Sequence, residues 1–245
     1  MARHDFRTPR VFVTAPLTAG AELELDRGQT NYLCNVLRLG EGARVLVFNG
    51  KDGEWAAGLR VRGRRAALGI YERTRPQPAS PDLVLAFAPL KHARLDYLVQ
   101  KAVEMGVGIV QPVLTRHTQV ARVNLERMRA NAIEAAEQCG VLSVPAIEAP
   151  APLEHWLAAL PRERVLVFCD EEAESADPVQ ALTRAAAGPL AVLIGPEGGF
   201  AEDDRRLLNA RAGTVRLSLG PRILRADTAA VAAIALVQAV RGDWR

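Results

Sequence analysis

The spacing of apolar positions along this 245-residue chain changes once, close to residue 80. Before that point the apolar runs are short and interrupted by turn signals. Arg10–Thr14, Ala21–Leu25, Arg44–Phe48, Glu54–Val61 and Ala66–Tyr71 read as strands, with Asn49-Gly50 and Asp52-Gly53 as turns. Asn31–Leu39 reads as one short helix between them. Five or six short strands in about 75 residues predict a small β-barrel. Arg75–Pro81 then holds three prolines in seven residues, the pattern of a semi-rigid linker. The predicted organisation is therefore 1–74, a linker at 75–81, and a second domain at 82–245.

Beyond the linker, strands alternate with helices. Leu83–Ala88, Ile109–Val113, Val165–Cys169, Leu190–Ile194 and Val215–Leu219 are apolar runs short enough for buried strands. Leu95, Leu98, Val99 and Ala102 recur at helical spacing in a helix that ends near Gly106, and Leu125–Cys139 makes another, stopped by Gly140. Ala149–Pro152 reads as a local loop. Such alternation predicts an α/β fold with a parallel sheet covered by helices. The last helix, Thr228 to Arg241, is apolar almost all round, which predicts burial under loops or against a second subunit.

Two of the predicted strands end in loops rich in glycine. Leu190–Ile194 runs into Gly195-Pro196-Glu197-Gly198-Gly199, and Val215–Leu219 into Gly220-Pro-Arg222-Ile223-Leu224-Arg225-Ala-Asp227-Thr228. At the carboxyl edge of a parallel sheet, where ligands bind, glycine lets backbone approach a ligand closely. One such loop would be an ordinary helix-entry turn, with Glu202, Asp203 and Asp204 as acids favoured by the helix dipole. Two together predict a cavity lined by backbone. Neither loop has the spacing of a P-loop or of a dinucleotide fingerprint.

Composition narrows the partners. No apolar run approaches the roughly 18 residues needed to cross a bilayer, and Met1–Arg7 has no apolar signal core, so the cytoplasm is expected. Cys34, Cys139 and Cys169 sit apart in apolar segments as reduced thiols, and His4, His92, His117 and His155 do not cluster, so no metal is expected. Net charge is +3, but residues 1–75 hold 13 Lys/Arg against 8 Asp/Glu while the remainder holds 18 against 20. Arg60, Arg62, Arg64 and Arg65 fall within six residues, and a pure arginine cluster suits bidentate phosphate contact as well as a solvated turn.

The segments Ile194–Phe200 and Leu217–Ala229 are similar to the signature of the SPOUT methyltransferases, and within them of the RsmE family. Arg10–Val13, Asn35–Arg38, Lys101–Val107 and Glu134–Cys139 extend the resemblance over nearly the whole chain. It implies a PUA-like RNA-binding barrel followed by a methyltransferase domain tied in a trefoil knot, a homodimer, and S-adenosylmethionine as cofactor. The implied reaction is methylation of N3 of a uridine in small-subunit ribosomal RNA. The cofactor residues carried over are Gly195, Pro196, Glu197, Gly198, Gly199, Leu217, Leu219, Gly220, Ile223 and Leu224. Arg10, Arg38, Arg222 and the four clustered arginines are the RNA-binding candidates. The chain departs from the family pattern at Asp227, where glutamate is commoner, and at Val141, where relatives carry arginine.

Arg225 and Asp227 are the catalytic candidates. Methyl transfer needs in-line geometry, so positioning supplies much of the rate. A uridine N3 must also lose its proton, and a guanidinium alongside would stabilise the resulting anion. Arg225 clamping a phosphate, or paired to Asp227 or Glu197, is the competing assignment. A methyltransferase acting on another RNA and a non-catalytic RNA-binding assembly factor are the alternative functions.

Overall fold

The computed structural model describes residues 5, 7–120, 122–173 and 177–244, with His92 described by its backbone alone. His4 and the opening Met1–His4 lie outside the described residues. The chain forms two compact units: Met1–Ser80 with Ile133–Val144, and Pro81–Ala132 with Pro145–Arg245.

The first unit is built on strands β1 (Arg10–Phe12), β2 (Glu22–Glu24), β3 (Arg44–Phe48), β4 (Glu54–Arg62) and β5 (Arg65–Arg75), in the order β1-β3-β4-β5-β2. Only the β1–β3 pair is parallel. Alternate residues Val45, Val47, Ala57, Leu59, Ala66, Leu68 and Ile70 share one core with Val11 and Leu33, as period-two patterning requires. Where one short helix was expected, helix α1 (Arg27–Thr30), capped by Asp26, passes into a π-helical turn at Asn31–Val36. Residues 133–144, which include the last part of α3 (Leu125–Cys139), join this unit through polar contacts that sequence spacing does not reveal. Phe12 N–H donates to Glu137 Oε1 at 2.8 Å, Arg75 donates to the Gly140 carbonyl at 3.0 Å, and Gln77 donates to Ser143 Oγ at 3.1 Å.

The second unit holds β6 (Leu83–Phe87), β7 (Ile109–Leu114), β8 (Ala146–Ile147), β9 (Ala151–Pro152), β10 (Val165–Cys169), β11 (Leu190–Ile194) and β12 (Thr214–Leu217). Their order is β12-β10-β11-β6-β7-β8, every pair parallel, and β9 adds to β7 where a plain loop was expected. Strands β6 and β11 are buried at every position, the mark of a sheet covered on both faces. One face packs on α4 (Leu153–Ala159) and α6 (Glu202–Ala210) through Trp156, Leu157 and Leu208. Against the other face lies α7 (Ala226–Arg241), which also packs on α2 (His92–Glu104) and α5 (Pro178–Arg184).

Helix α7 buries Ala229, Ala230, Ala233, Ile234 and Val237 along one stripe. Val231, Ala232, Ala235 and Leu236 remain half-buried on its other side. Its one buried amide, Gln238, is satisfied: Nε2 donates to the Met105 carbonyl at 2.6 Å, and the Asp243 N–H donates to Oε1. That bond ties the end of α7 to the end of α2.

Candidate functional site

Three adjacent strands set the site. Cys169 on β10 is in register with Ile194 on β11 and with Leu217 on β12, so the three chains leave the sheet at one level. Their loops enclose a cavity of about 410 Å³. It is lined by all ten residues expected at a cofactor: Gly195, Pro196, Glu197, Gly198, Gly199, Leu217, Leu219, Gly220, Ile223 and Leu224. Ile223 is 89% exposed, leaving an apolar rim open to a ligand.

The glycines have separate physical reasons. A Cβ on Gly195 would meet the ring of Phe200, a fully buried side chain packed edge-on to Phe168 at 5.8 Å. Gly199 sits at φ +69° and Gly220 at φ +102°, conformations that L side chains rarely adopt. Around Gly198 the nearest atom to a built Cβ is His117 Cβ at 3.8 Å, and around Gly220 there is nothing within 4 Å. Those two glycines therefore keep space open rather than avoid a collision.

A third loop, Cys169-Asp170-Glu171, lines the same cavity and was not anticipated. It lacks glycine, the signal used for the other two; its only cue was an apolar run ending in three acids. Asp170 is buried and held by two guanidiniums, Arg216 Nε at 2.8 Å and Arg205 Nε at 3.3 Å. Arg205 also donates to Glu171 at 3.0 Å, and the Glu171 carboxylate occupies the space beside Gly199. Burial, and secondarily the Asp170 charge, push the Cys169 thiol up to about 12, so it stays protonated and is a packing group rather than a nucleophile.

Arg225 takes the N-cap position of α7, exposed, and does not line the cavity, although Leu224 and Ala226 on either side of it do. Among the described residues its guanidinium has no hydrogen bond or ion pair. Asp227 also lies outside the lining. It falls in the first turn of α7, and its carboxylate accepts the Thr228 N–H at 2.9 Å. Glu197 pairs with Arg94, which removes it as a partner for Arg225. Arg222 is exposed on the cavity wall. The adjoining turn at Thr115–Thr118 is closed by the Thr115 N–H donating to Thr118 Oγ1 at 2.8 Å. It places His117 Nδ1 3.2 Å from the Gly199 carbonyl oxygen.

In the first unit, Gly63 at φ +63° opens the two-residue β4–β5 turn, as a type II′ hairpin asks. That turn projects Arg64 and Arg65, while Arg60 and Arg62 share the Glu22 carboxylate. Arg38 is exposed at φ +56°, in the left-handed region a non-glycine residue rarely takes. Arg10 corrects an expectation. It is 5% exposed, its Nε donates to Glu54 at 2.7 Å, and its other nitrogens donate to the carbonyls of Glu137 and Asp5. A guanidinium so fully used inside the fold does not meet RNA. Burial works against the Glu54 charge, but hydrogen bonds from Arg75, Arg10 and Thr74 outweigh it and hold the carboxyl below its usual value.

Among the described residues no group of His, Cys, Asp and Glu is arranged to hold a metal ion, and no helix is long and apolar enough to cross a membrane. A family model described as an RNA methyltransferase domain matches residues 77–238, and one described as an RNA methyltransferase PUA domain matches 25–68. Ribosomal RNA small subunit methyltransferase E of Rickettsia conorii is 30% identical over 232 residues, with 94% of each chain covered. The protein of the same name from Bacillus subtilis is 26% identical over 232 residues, covering 88% of this chain and 90% of its own. The crystal structure of that methyltransferase from Neisseria gonorrhoeae, bound to S-adenosyl methionine, aligns with a TM-score of 0.85 and 30% identity, covering 98% of this chain and 100% of the other.

Proposed function

The chain belongs to the family of ribosomal RNA small subunit methyltransferase E, and from that premise we propose that it transfers a methyl group from S-adenosylmethionine to N3 of a uridine in small-subunit (16S) ribosomal RNA. The observation that carries this reading is the cavity itself. Loops 20 and more residues apart in sequence converge on about 410 Å³, within the roughly 300–1,000 Å³ typical of small-molecule sites.

The residues fit the cofactor. Gly198 and Gly220 leave backbone open where a Cβ would project, so the loops can read an adenine edge with main-chain groups. Leu217, Leu219, Ile223 and Leu224 supply apolar wall. When bound, S-adenosylmethionine supplies an electrophilic methyl group. The chain's task is then to orient the base and stabilise N3 as it loses its proton. The free guanidinium of Arg225 suits that developing anion, and Asp227 stands two residues on, in the first turn of α7. Arg222 and the Arg60–Arg65 hairpin hold phosphates.

Two further parts of the reading rest on the family. The half-buried stripe Val231, Ala232, Ala235 and Leu236 supports a homodimer, and the loops around α7 are the expected place of the trefoil knot. A ribosomal substrate supports a cytoplasmic location. Labelled S-adenosylmethionine incubated with small subunits lacking the modification tests the function. Label should appear in 16S rRNA with wild-type protein and be lost with Gly198→Val, which fills the open space. RNA without label in the wild-type reaction would refute the proposal.

A further inference from the structure

The sheet edge carries a second cavity that the cofactor reading leaves unused. It measures about 260 Å³ and is bounded by the segments that follow β6, β7 and β11: Lys91 and Arg94, then His117 and Gln119, then Pro196–Gly198. Strand order places it beside the first cavity, because β11 lies between β10 and β6 and its loop belongs to both linings. The sequence runs outward from β6 to β7 on one side and returns on the other, and such a switch in direction opens a ligand crevice. The volume falls just short of a drug-sized site and suits a single nucleobase.

His117 stands on the wall between the two cavities. Its Nδ1 lies 3.2 Å from the Gly199 carbonyl oxygen, and a carbonyl can only accept. In the neutral ring the hydrogen is therefore on Nδ1, which leaves a lone pair on Nε2. The charged groups that share the lining are Lys91, Arg94 and Glu197, the last two paired to each other. Gln119 offers an amide that can bond a uracil carbonyl.

Resting on the function proposed above, we propose that this second cavity receives the target uridine and that His117 Nε2 takes the proton from N3. The N3–H bond breaks with its proton going to Nε2 and its electron pair staying on N3; that pair forms the bond to the methyl carbon as the carbon–sulfur bond of S-adenosylmethionine breaks, its pair remaining on sulfur. Lys91, an exposed cation on the lining, meets the phosphate of the flipped nucleotide.

Two measurements test this. Imidazole ¹⁵N spectroscopy on the cofactor-free wild type should show His117 as the Nδ1–H tautomer when neutral; an Nε2–H tautomer would overturn the proposal. His117→Asn keeps a donor for the Gly199 carbonyl but has no proton acceptor. With small subunits as substrate, its single-turnover rate at pH 7 should fall by about 10²–10⁴, the usual worth of a general base. The rate should then climb about tenfold per pH unit where the wild type is flat, because solvent must remove the proton instead. Wild-type rate and profile in His117→Asn would overturn the assignment while leaving the methyltransferase intact. Parallel loss of cofactor affinity would make His117 a prop for Gly199 and overturn it as well. A wild type that methylates no uridine would fail the function itself, and this inference with it.

Discussion

At the scale of single residues, the guanidinium of Arg225 is left without structural employment among the described residues. It is exposed between two cavity-lining residues and makes no hydrogen bond among the described residues. Arg225→Ala should lower the single-turnover rate by roughly 10²–10³, the scale of one lost oxyanion donor, with cofactor affinity nearly unchanged. Arg225→Lys should restore little, since a point charge does not reproduce a planar fork. Weaker RNA binding with a preserved rate at saturating RNA would instead make it a phosphate clamp. Glu137 gives a prediction about stability. Burial first, with the nearby Glu134 charge adding, raises its carboxyl to about 6 despite the Phe12 N–H that it accepts. A carboxyl raised above its unfolded value of 4.5 stabilises the fold below that value and loses the contribution as pH rises through about 6. Glu137→Gln keeps the acceptor oxygen without the charge. Urea titration at pH 8 should find the first unit more stable by about 1–2 kcal/mol, with the wild type's decline between pH 4.5 and 6.5 removed. No gain at pH 8 would show the carboxylate to be solvated. Residue chemistry was legible where backbone demanded it, at Gly199 and Gly220, whereas the Phe200 ring that makes Gly195 a glycine was not foreseen. It was not legible for Arg10, whose partner Glu54 is 44 residues away and whose burial no local pattern signals.

Elements were legible to the extent that periodicity marks them. The five long apolar strands of the second unit were read within a few residues, and the π-helical turn at Asn31–Val36 was read as an ordinary short helix, because a single turn is too short for its period to show in the sequence. Short β8 and β9 have no periodicity to find. The loop after β10 was missed because what brings it to the cavity is strand order, β12-β10-β11, which sequence does not print. At this scale the β4–β5 hairpin carries the clearest prediction. Arg60 and Arg62 already share Glu22, whereas Arg64 and Arg65 stand at the turn without such a partner in the described ion pairs. Replacing all four should flatten the log–log salt dependence of RNA binding, at about 0.7 per lost contact for single strands, and leave cofactor affinity unchanged. An unchanged slope would make the hairpin a solvated turn.

For the whole molecule, the consequence of α7 is association. The stripe of Val231, Ala232, Ala235 and Leu236 remains half-buried after α7 has packed on α2, α5 and β11. Covering it with a second copy removes apolar surface from water at about 25 cal/mol per Å². Light scattering at micromolar concentration should give about twice the 26.5 kDa chain mass; a monomer that binds cofactor tightly would contradict the dimer. The central claim, that this cavity serves methylation of one uridine at N3, is tested most directly by nucleoside mass spectrometry. Small-subunit rRNA from cells lacking the protein would be digested before and after incubation with the purified protein and S-adenosylmethionine. The account predicts the appearance of one N3-methyluridine per subunit, at a single position, and its absence with Arg225→Ala on the single-turnover time scale. No new methylated nucleoside, or methylation at a ribose or at a base other than uracil, would contradict it.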